Sequence, residues 1–382
     1  MRVIMTGGGT GGHIYPAIAI ADKIKKENAD AEIIFVGTER GLEKTIVPKS
    51  GYKIEFIKIR GFNRKNIFKN VKVLIELVKA FKDAKEIIKE FKPDMVIGTG
   101  GYVCGPVVRT ANKLGIKTYI HEQNASPGLT NKLLEKYVDK IFIGFKEAGE
   151  KFKYKEKIIL SGNPVRSEFG NLNKEECRKK LEIPEKDFVI LAFGGSGGAG
   201  ELNKEIINVI KTLIDDPNVS IFFGTGKVYY KKVIREIDAE KIELSEKIKV
   251  LEYIENMQDY LGAADLVISR AGALTVAEIT ICGKASILIP SPNVTGNHQY
   301  YNAKAISEAG GAILIQEKEL DENKLIKVIK TLMANRIKLE KMEAASKSCA
   351  HEMATEIIYK AIISDFKQFS WGKNDSKNKK SD

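Results

Sequence analysis

Short apolar runs alternate along this chain with longer stretches in which apolar and charged positions recur at helical spacing. Runs at 3–5, 33–36, 95–97, 118–120 and 141–143 read as buried strands, and runs at 189–193, 220–223, 248–251, 266–269 and 286–289 repeat the rhythm. Amphipathic stretches such as 15–26 and 106–114 read as the helices between them. Strands that are apolar on both faces, separated by helices, predict parallel sheets with crossover connections. The second half restarts the first in detail. RVIMTGGGTGG opens one and FVILAFGGSGGAG the other, each a strand, then a glycine turn, then a helix. Two doubly wound α/β domains in tandem explain this better than one large sheet. The break is expected near LSGNPVR (160–166), where strand residues give way to Gly, Asn and Pro. The expected division is therefore 1–163 and 164–345, with a helix over 346–371 returning toward the first domain. From Gly372 the sequence GKNDSKNKKSD is polar and reads as a disordered tail.

Charge changes the picture. Residues 1–163 hold 30 Lys and Arg against 18 Asp and Glu, whereas the rest of the 382 residues hold 32 of each, so the whole net charge of +12 lies in the first half. A lysine-rich proteome would load both halves. The asymmetry points to an anionic partner: nucleic acid, anionic lipid or a phosphorylated acceptor. Nucleic acid ranks last, because interleaved aromatics and a binding module are lacking. The four cysteines (Cys104, Cys177, Cys282, Cys349) are scattered and form no C-x-x-C, which argues against disulfides or a zinc site and for a reducing cytoplasm. No window approaches the roughly 18 apolar residues of a membrane span. Arg2 followed by Val-Ile-Met reads as a strand, not as the apolar core of a signal peptide.

The glycine turns carry the chemistry. Gly7, Gly9 and Gly12 fit G-x-G-x-x-G, as do Gly195, Gly197 and Gly200. Two further strand-to-helix junctions are GTGGYVCGP (98–106) and SRAGALTVAE (269–278). Glycine lets backbone approach a ligand, and the helix start aims free N–H groups at an anion. One such loop is an ordinary tight turn; four at the carboxyl ends of strands point to phosphate chemistry. A dinucleotide fold also needs an acid after its second strand to hold a ribose, and Glu39 comes late for that. His13 follows the glycines directly, where an imidazole can serve as a general base at neutral pH or simply pack the helix start.

The ordered set GGGTGGHIYPAIAIA, GGYVCGP, HEQNASPGLTNK (121–132), GNPVR (162–166), GGSGGAGELN (194–203), SRAGALTVAE and PSPNVTGNHQYYNA (290–303) closely resembles the MurG-type peptidoglycan glycosyltransferases of family 28. The resemblance spans about residues 2–360. It implies a GT-B fold, two Rossmann-like doubly wound domains separated by a cleft. It implies inverting transfer of N-acetylglucosamine from UDP-GlcNAc to the C4 hydroxyl of MurNAc in an undecaprenyl-pyrophosphate-linked acceptor (lipid I), giving lipid II for cell-wall synthesis. Residues 194–199, with Ser196, would contact the diphosphate, and Arg166 would add a fixed positive charge. Ile254 would pack near the uracil. Ala273, Leu274, Thr275, Val276 and Ala277 would lie at a helix start beneath the diphosphate, with Glu278 on the ribose hydroxyls. Gln299 and Asn124 would read the sugar, and Thr10, Gly11 and Gly12 would line the facing wall. His13 is then the candidate base for the acceptor hydroxyl, with Glu122 as a rival that could instead orient its loop. No Asp-x-Asp motif is present, so neither a bound divalent metal nor any other cofactor is implied. Relatives commonly read GGSQGA where this chain has GGSGGA, so Gly197 removes one side-chain hydrogen bond to the donor. A UDP-sugar:diacylglycerol glycosyltransferase shares the fold logic, and a nicotinamide-dependent oxidoreductase is the alternative from another class.

The segment 62–91 concentrates the basic excess. Ile67, Val71, Leu74, Val78, Phe81, Ile88 and Phe91 recur at helical spacing, and much of that stripe should be core. Phe68, Val73, Ile75 and Leu77 broaden it beyond one face, amid Arg64, Lys65, Lys69, Lys72, Lys79, Lys82 and Lys85. An apolar edge set among lysines suits an anionic membrane surface, here through 63–75, and places the protein peripherally on the cytoplasmic face of the cell membrane.

Overall fold

A computed structural model of the chain describes residues 1–61, 70–195 and 197–378. The chain divides into two compact units, Met1–Val165 with Met353–Asp382, and Arg166–Glu352. In the first, β1 (Arg2–Gly7), β2 (Glu32–Gly37), β3 (Lys53–Phe56), β4 (Met95–Gly100), β5 (Lys117–Glu122), β6 (Lys140–Ile143) and β7 (Ile158–Leu160) form one parallel sheet in the order β3-β2-β1-β4-β5-β6-β7. The connections carry α1 (Gly11–Glu27), α2 (Glu43–Lys49), α3 (Asn70–Phe91), α4 (Cys104–Lys113), α5 (Leu129–Leu134) and α6 (Lys146–Glu150).

The second unit opens with α7 (Lys174–Lys180). Strands β8 (Phe188–Phe193), β9 (Val219–Gly224), β10 (Ile248–Leu251), β11 (Leu266–Ser269), β12 (Ala285–Leu288) and β13 (Ala312–Leu314) make a parallel sheet ordered β10-β9-β8-β11-β12-β13. Its helices are α8 (Gly200–Leu213), α9 (Tyr230–Ala239), α10 (Met257–Ala263), α11 (Ala273–Ile281), α12 (His298–Glu308), α13 (Glu322–Met333) and α14 (Arg336–Ser348). The last helix, α15 (Ala354–Asn378), belongs to the first unit. Counted from its own first strand, each sheet runs 3-2-1-4-5-6, the order of a Rossmann fold, and the first adds a seventh strand at its edge. Strand order reverses between β1 and β4, and between β8 and β11, and open α/β sheets bind ligands outside the carboxyl ends at that reversal.

Alternate residues of each strand point to opposite faces, and in the central strands both faces are buried. Ile4, Val96, Ile120 and Ile141 pack under Ala80, Ala84, Ile88, Val107 and Ala111 of α3 and α4. Val3, Met5, Ile97, Tyr119 and Phe142 pack against Ile14, Ala17, Ile20 and Ile24 of α1 and Ile358 and Ile362 of α15. That double burial is why these strands read as unbroken apolar runs. Ile358 and Ile362 are fully buried, each contributing about 1.5–3 kcal/mol. Asp365 fixes the helix further by accepting from Tyr119 Oη at 3.1 Å and Lys140 Nζ at 2.6 Å.

Three differences from the sequence reading have physical causes. Strands β3, β7 and β13 escaped notice because they are sheet edges of three or four residues with half-exposed positions. In α3 the inward face is Val73, Ala80, Ala84 and Ile88, so Leu74 and Val78, expected in the core stripe, are instead 53% and 71% exposed. Small alanines let α3 lie close to the α4 side and rotate the larger side chains outward. Residues 62–69 of that segment, including Ile67 and Phe68, lie outside the described residues. At the other end α15 runs to Asn378, past Gly372 where a disordered tail was expected, with no proline to stop it. Among the described residues no helix is long and apolar enough to cross a membrane.

Candidate functional site

In the first unit the loops after β1 and β4 meet across the strand-order reversal. Gly8 N–H donates to Gly100 O at 3.3 Å, and a Cβ on Gly101 (φ +86°) would fall 2.5 Å from the Gly8 carbonyl oxygen, so side chains are excluded by backbone contact. Thr99 Oγ1 donates to His13 O at 2.7 Å, and Cys104 Sγ donates to Thr6 O at 2.9 Å, tying the end of β4 to α1 and the start of α4 to β1. Burial pushes the Cys104 thiol up to about 12, so it stays neutral and acts as a hydrogen-bonding strut. Thr10 is the N-cap of α1 but its side chain caps nothing, which leaves the first N–H groups at Gly11 and Gly12 pointing outward.

His13 is half-buried in the first turn of α1. Its Nδ1 lies 3.0 Å from the Gly8 carbonyl oxygen. A carbonyl has no proton to give, so Nδ1 is the donor and, in the neutral ring, Nε2 is the bare base. The ring edge is set against Gly100, where a Cβ would meet Nε2 at 3.0 Å. This fixed tautomer is what a general base needs. His121 contrasts with it. That ring is fully buried, donates from Nε2 to Gly162 O at 3.0 Å and faces the Gln123 amide at 2.9 Å, and burial lowers its pKa to about 4. His121 is therefore a neutral structural link.

Glu122 ends β5 and is 2% exposed. Oε1 accepts from Asn124 N at 3.0 Å and Asn124 Nδ2 at 3.1 Å, while Oε2 accepts from Gly128 N at 2.9 Å and Asn131 Nδ2 at 2.8 Å. With four donors on two oxygens, this carboxylate shapes the 123–128 loop and holds Asn124 at its rim.

In the second unit the loop after β8 is closed by its own backbone, with Gly198 N–H donating to Gly195 O at 2.9 Å. Gly198 has φ +79°, and a Cβ there would strike the Thr225 carbonyl oxygen at 2.2 Å. Asn203 Nδ2 holds that same carbonyl at 2.8 Å. Ala199, the N-cap of α8, offers no side-chain cap, so the helix start keeps free donors for an anion. Gly197 stands in open space at ordinary φ, so no steric demand requires glycine there. Ser196 lies outside the described residues.

The loop after β11 begins α11 behind another cap without a side chain, Gly272. Ala273 and Val276 are buried packing residues, while Leu274, Thr275, Ala277 and Glu278 are partly buried. Burial raises the Glu278 carboxyl to about 7, opposed by the positive charge of Arg166 nearby. Arg166 itself pairs with Glu168 at 2.7 Å and lies 5.1 Å over the Phe169 ring. Ile254 is 4% exposed and packs its side chain on Gly224, which leaves little of it to touch a base. Gln299 Oε1 accepts from Ser291 N at 2.8 Å, so its NH2 group is the end left to donate.

Two residues that the sequence reading did not single out organise these loops. Arg270, buried after β11, donates to Ile289 O at 3.1 Å and Pro290 O at 3.2 Å and pairs with Glu317, bracing the loop that carries Ser291. Glu43, fully buried in the first turn of α2, accepts from Gly9 N–H at 2.9 Å. The available signal was GTERGLE (37–43), in which Gly37, Thr38 and Gly41 are small residues close before the second of two acids.

Comparison with known proteins agrees with this geometry. Residues 3–143 match the glycosyltransferase family 28 N-terminal domain and residues 189–358 its C-terminal domain. The chain is 47% identical over 362 residues to a UDP-N-acetylglucosamine--N-acetylmuramyl-(pentapeptide) pyrophosphoryl-undecaprenol N-acetylglucosamine transferase of Acetivibrio thermocellus, covering 95% of this chain and 97% of that one. It is 46% identical to the protein of the same description from Alkaliphilus oremlandii, covering 94% and 97%. The crystal structure of Acinetobacter baumannii MurG superposes with a TM-score of 0.77 at 30% identity, covering 95% of this chain and 99% of that one. Sheets, loops and sequence thus converge: the chain belongs to glycosyltransferase family 28, with the GT-B fold of two Rossmann-like domains.

Proposed function

We propose that this protein transfers N-acetylglucosamine from UDP-GlcNAc to the C4 hydroxyl of the N-acetylmuramyl group of a pyrophosphoryl-undecaprenol-linked acceptor, for peptidoglycan synthesis. The observation that carries the reading is near-full-length identity of 47% to a transferase described by those substrates. On this reading the second unit takes the donor. The uncapped starts of α8 and α11, together with Arg166, neutralise the diphosphate, and Glu278 in its ionised form accepts from the ribose hydroxyls. Gln299 and Asn124 donate to sugar hydroxyls.

The first unit supplies the base. His13 Nε2 takes the proton of the acceptor hydroxyl as its oxygen attacks C1 of the sugar from the face opposite UDP. The C1–O bond breaks, and its electron pair leaves on the β-phosphate. The anomeric centre inverts in one displacement. Donors already aimed at the leaving group stabilise the charge without reorganising. Glu122, with four donors in place, is assigned to shaping the loop and not to taking the proton.

The acceptor is lipid-linked, and the outward side of α3 suits that. Leu74, Ile75 and Val78 are 53%, 55% and 71% exposed beside exposed Lys79 and Lys82. This apolar-and-basic edge is proposed to seat the protein peripherally on the anionic cytoplasmic face of the membrane. Pelleting with anionic but not zwitterionic vesicles, lost on changing the three apolar residues to Ser, tests it.

The activity test is transfer of labelled GlcNAc to the lipid-linked acceptor, run beside diacylglycerol as acceptor. Product with diacylglycerol alone would overturn the acceptor assignment. A thermal-shift series with UDP-GlcNAc, UDP-glucose, UDP and NADH checks the donor, and stabilisation by NADH without response to UDP would overturn the transferase reading.

A further inference from the structure

The geometry points to Glu43 as a positioning residue that acts on His13 through a single peptide group. This rests on His13 being the base. The carbonyl of Gly8 and the N–H of Gly9 are the two ends of one peptide unit. The carbonyl accepts Nδ1–H of His13 at 3.0 Å, and the N–H donates to Glu43 Oε2 at 2.9 Å. Imidazole, peptide and carboxylate therefore form one continuous line of hydrogen bonds.

A peptide group is planar and conjugated, so a carboxylate drawn to its N–H shifts electron density onto its oxygen. The oxygen that faces Nδ1–H becomes a stronger acceptor. Two effects follow for His13. The tautomer with a bare Nε2 is favoured, and the imidazolium that forms when Nε2 takes a proton is stabilised. Hydrolases obtain the same effects from an acid touching the imidazole directly; here one peptide is interposed. No proton travels along the bridge. Glu43 stays a carboxylate, Nδ1 keeps its hydrogen, and the acceptor's proton stops at Nε2.

The surroundings of Glu43 are built around its charge. Its second oxygen takes the N–H and the hydroxyl of Thr38 at 2.9 and 2.7 Å. A buried carboxylate is tolerated only when donors surround it, and three do so. The first turn of α2 adds the positive end of a helix dipole. Space is kept by three glycines: a Cβ on Gly8, Gly37 or Gly41 would lie 2.5, 2.6 or 2.0 Å from Glu43 atoms. Glu43 stands after β2, where a dinucleotide fold keeps its ribose acid, but it is 0% exposed and so has no ligand hydroxyl to meet. A carboxylate serving packing alone would need donors, but not a donor whose own peptide grips the imidazole.

The test uses the full chain with UDP-GlcNAc and the lipid-linked acceptor, and NMR of the His13 ring in the free protein. Glu43→Gln keeps the shape and removes the charge. It should lower kcat about three- to tenfold with the donor KM within about twofold, and move the Nδ1–H resonance upfield. Glu43→Asp, which restores the charge at a longer reach, should recover part of kcat. Thr38→Val removes one competing donor from the carboxylate and should move Nδ1–H downfield; this variant decides the matter if Glu43→Gln does not fold. An Nδ1–H resonance unmoved by these changes would sink the bridge while leaving His13 as base. Undiminished kcat in His13→Ala would instead overturn the base, and with it any part for Glu43 in turnover.

Discussion

Each unit carries a glycine loop after its first strand, and the balance of side-chain and backbone contacts that holds it differs between the two. The loop of the first unit is gripped mostly by side chains, beside one backbone bond from Gly8 to Gly100: Glu43 holds Gly9, Thr99 and His13 are joined, and Cys104 ties α4 to β1. The loop of the second unit is gripped mostly by backbone: Gly198 closes on Gly195 and rests against Thr225, whose carbonyl the Asn203 side chain holds. The difference matches two tasks. A catalytic imidazole must be fixed in one tautomer and one place, and side-chain hydrogen bonds do that. A phosphate cradle must keep its N–H groups free, so its shape has to come from contacts that consume few of them. The carboxylate beneath the first loop also disfavours an anion there, whereas the start of α8 has only exposed Glu201 in its first turn. On the proposed reading, similar sequences, GGGTGG and GGSGGAG, would serve proton transfer in one unit and charge neutralisation in the other.

The strongest way to break this comparison is His13→Ala. It should cut kcat about 10²–10⁴-fold and leave donor affinity within about twofold, measured by steady-state kinetics and calorimetry. Equal losses in both would mean that the first loop also binds the donor. The mirror experiment is Gly198→Ala. With φ at +79° and the Thr225 carbonyl 2.2 Å from the new Cβ, the donor loop has to shift. UDP-GlcNAc affinity should fall more than tenfold, with about 1–3 kcal/mol of stability lost, while kcat at saturating donor changes less. A variant that binds the donor normally would show that the cradle lies elsewhere.

Glu278 sharpens the second half of the comparison. Its carboxyl is raised from an ordinary 4.5 to about 7, chiefly by burial. On the proposed reading the ionised form accepts from the ribose, so UDP affinity should rise as pH increases through about 7 and level off above it. Glu278→Ala should weaken binding by about 1–3 kcal/mol and abolish that rise. The sign for folding is the reverse. The folded form holds a proton that the unfolded chain releases near 4.5, so the wild type loses stability between about 4.5 and 7. Glu278→Gln should therefore raise Tm at pH 8 while weakening UDP. A Tm that falls at pH 8 would contradict the burial cost. The smallest effect belongs to Gly197→Gln. Open space around Gly197 predicts wild-type Tm, and one restored hydrogen bond of about 0.5–1.5 kcal/mol predicts a several-fold tighter donor. A destabilised variant would show a hidden steric limit.

Much of this was legible before any coordinates. The runs at 3–5 and 189–193 announced their strands because central parallel strands are apolar on both faces, and period and burial then coincide. The glycine loops and His13 were legible because chain neighbours fix them: a strand end, a turn and a helix start lie within a dozen residues. Leu74 and Val78 misled because helical spacing shows that a stripe exists, not which edge of it Ala80 and Ala84 press inward. Glu122 left two roles open in the sequence, and the four donors that favour the loop-shaping one come from positions up to nine residues away.

What the chain by itself determined is local: two repeats of strand, glycine turn and helix, an imidazole at one loop, and a basic first half. Tertiary structure decided what each loop rests on. Glu43 reaches Gly9 across 34 residues, and Cys104 reaches Thr6 across 98. Hydrogen bonds between such distant positions leave no periodic trace in sequence, because periodicity records only which face of an element is buried. The identity of the buried partner is set by strand order, and strand order is a property of the assembled sheet.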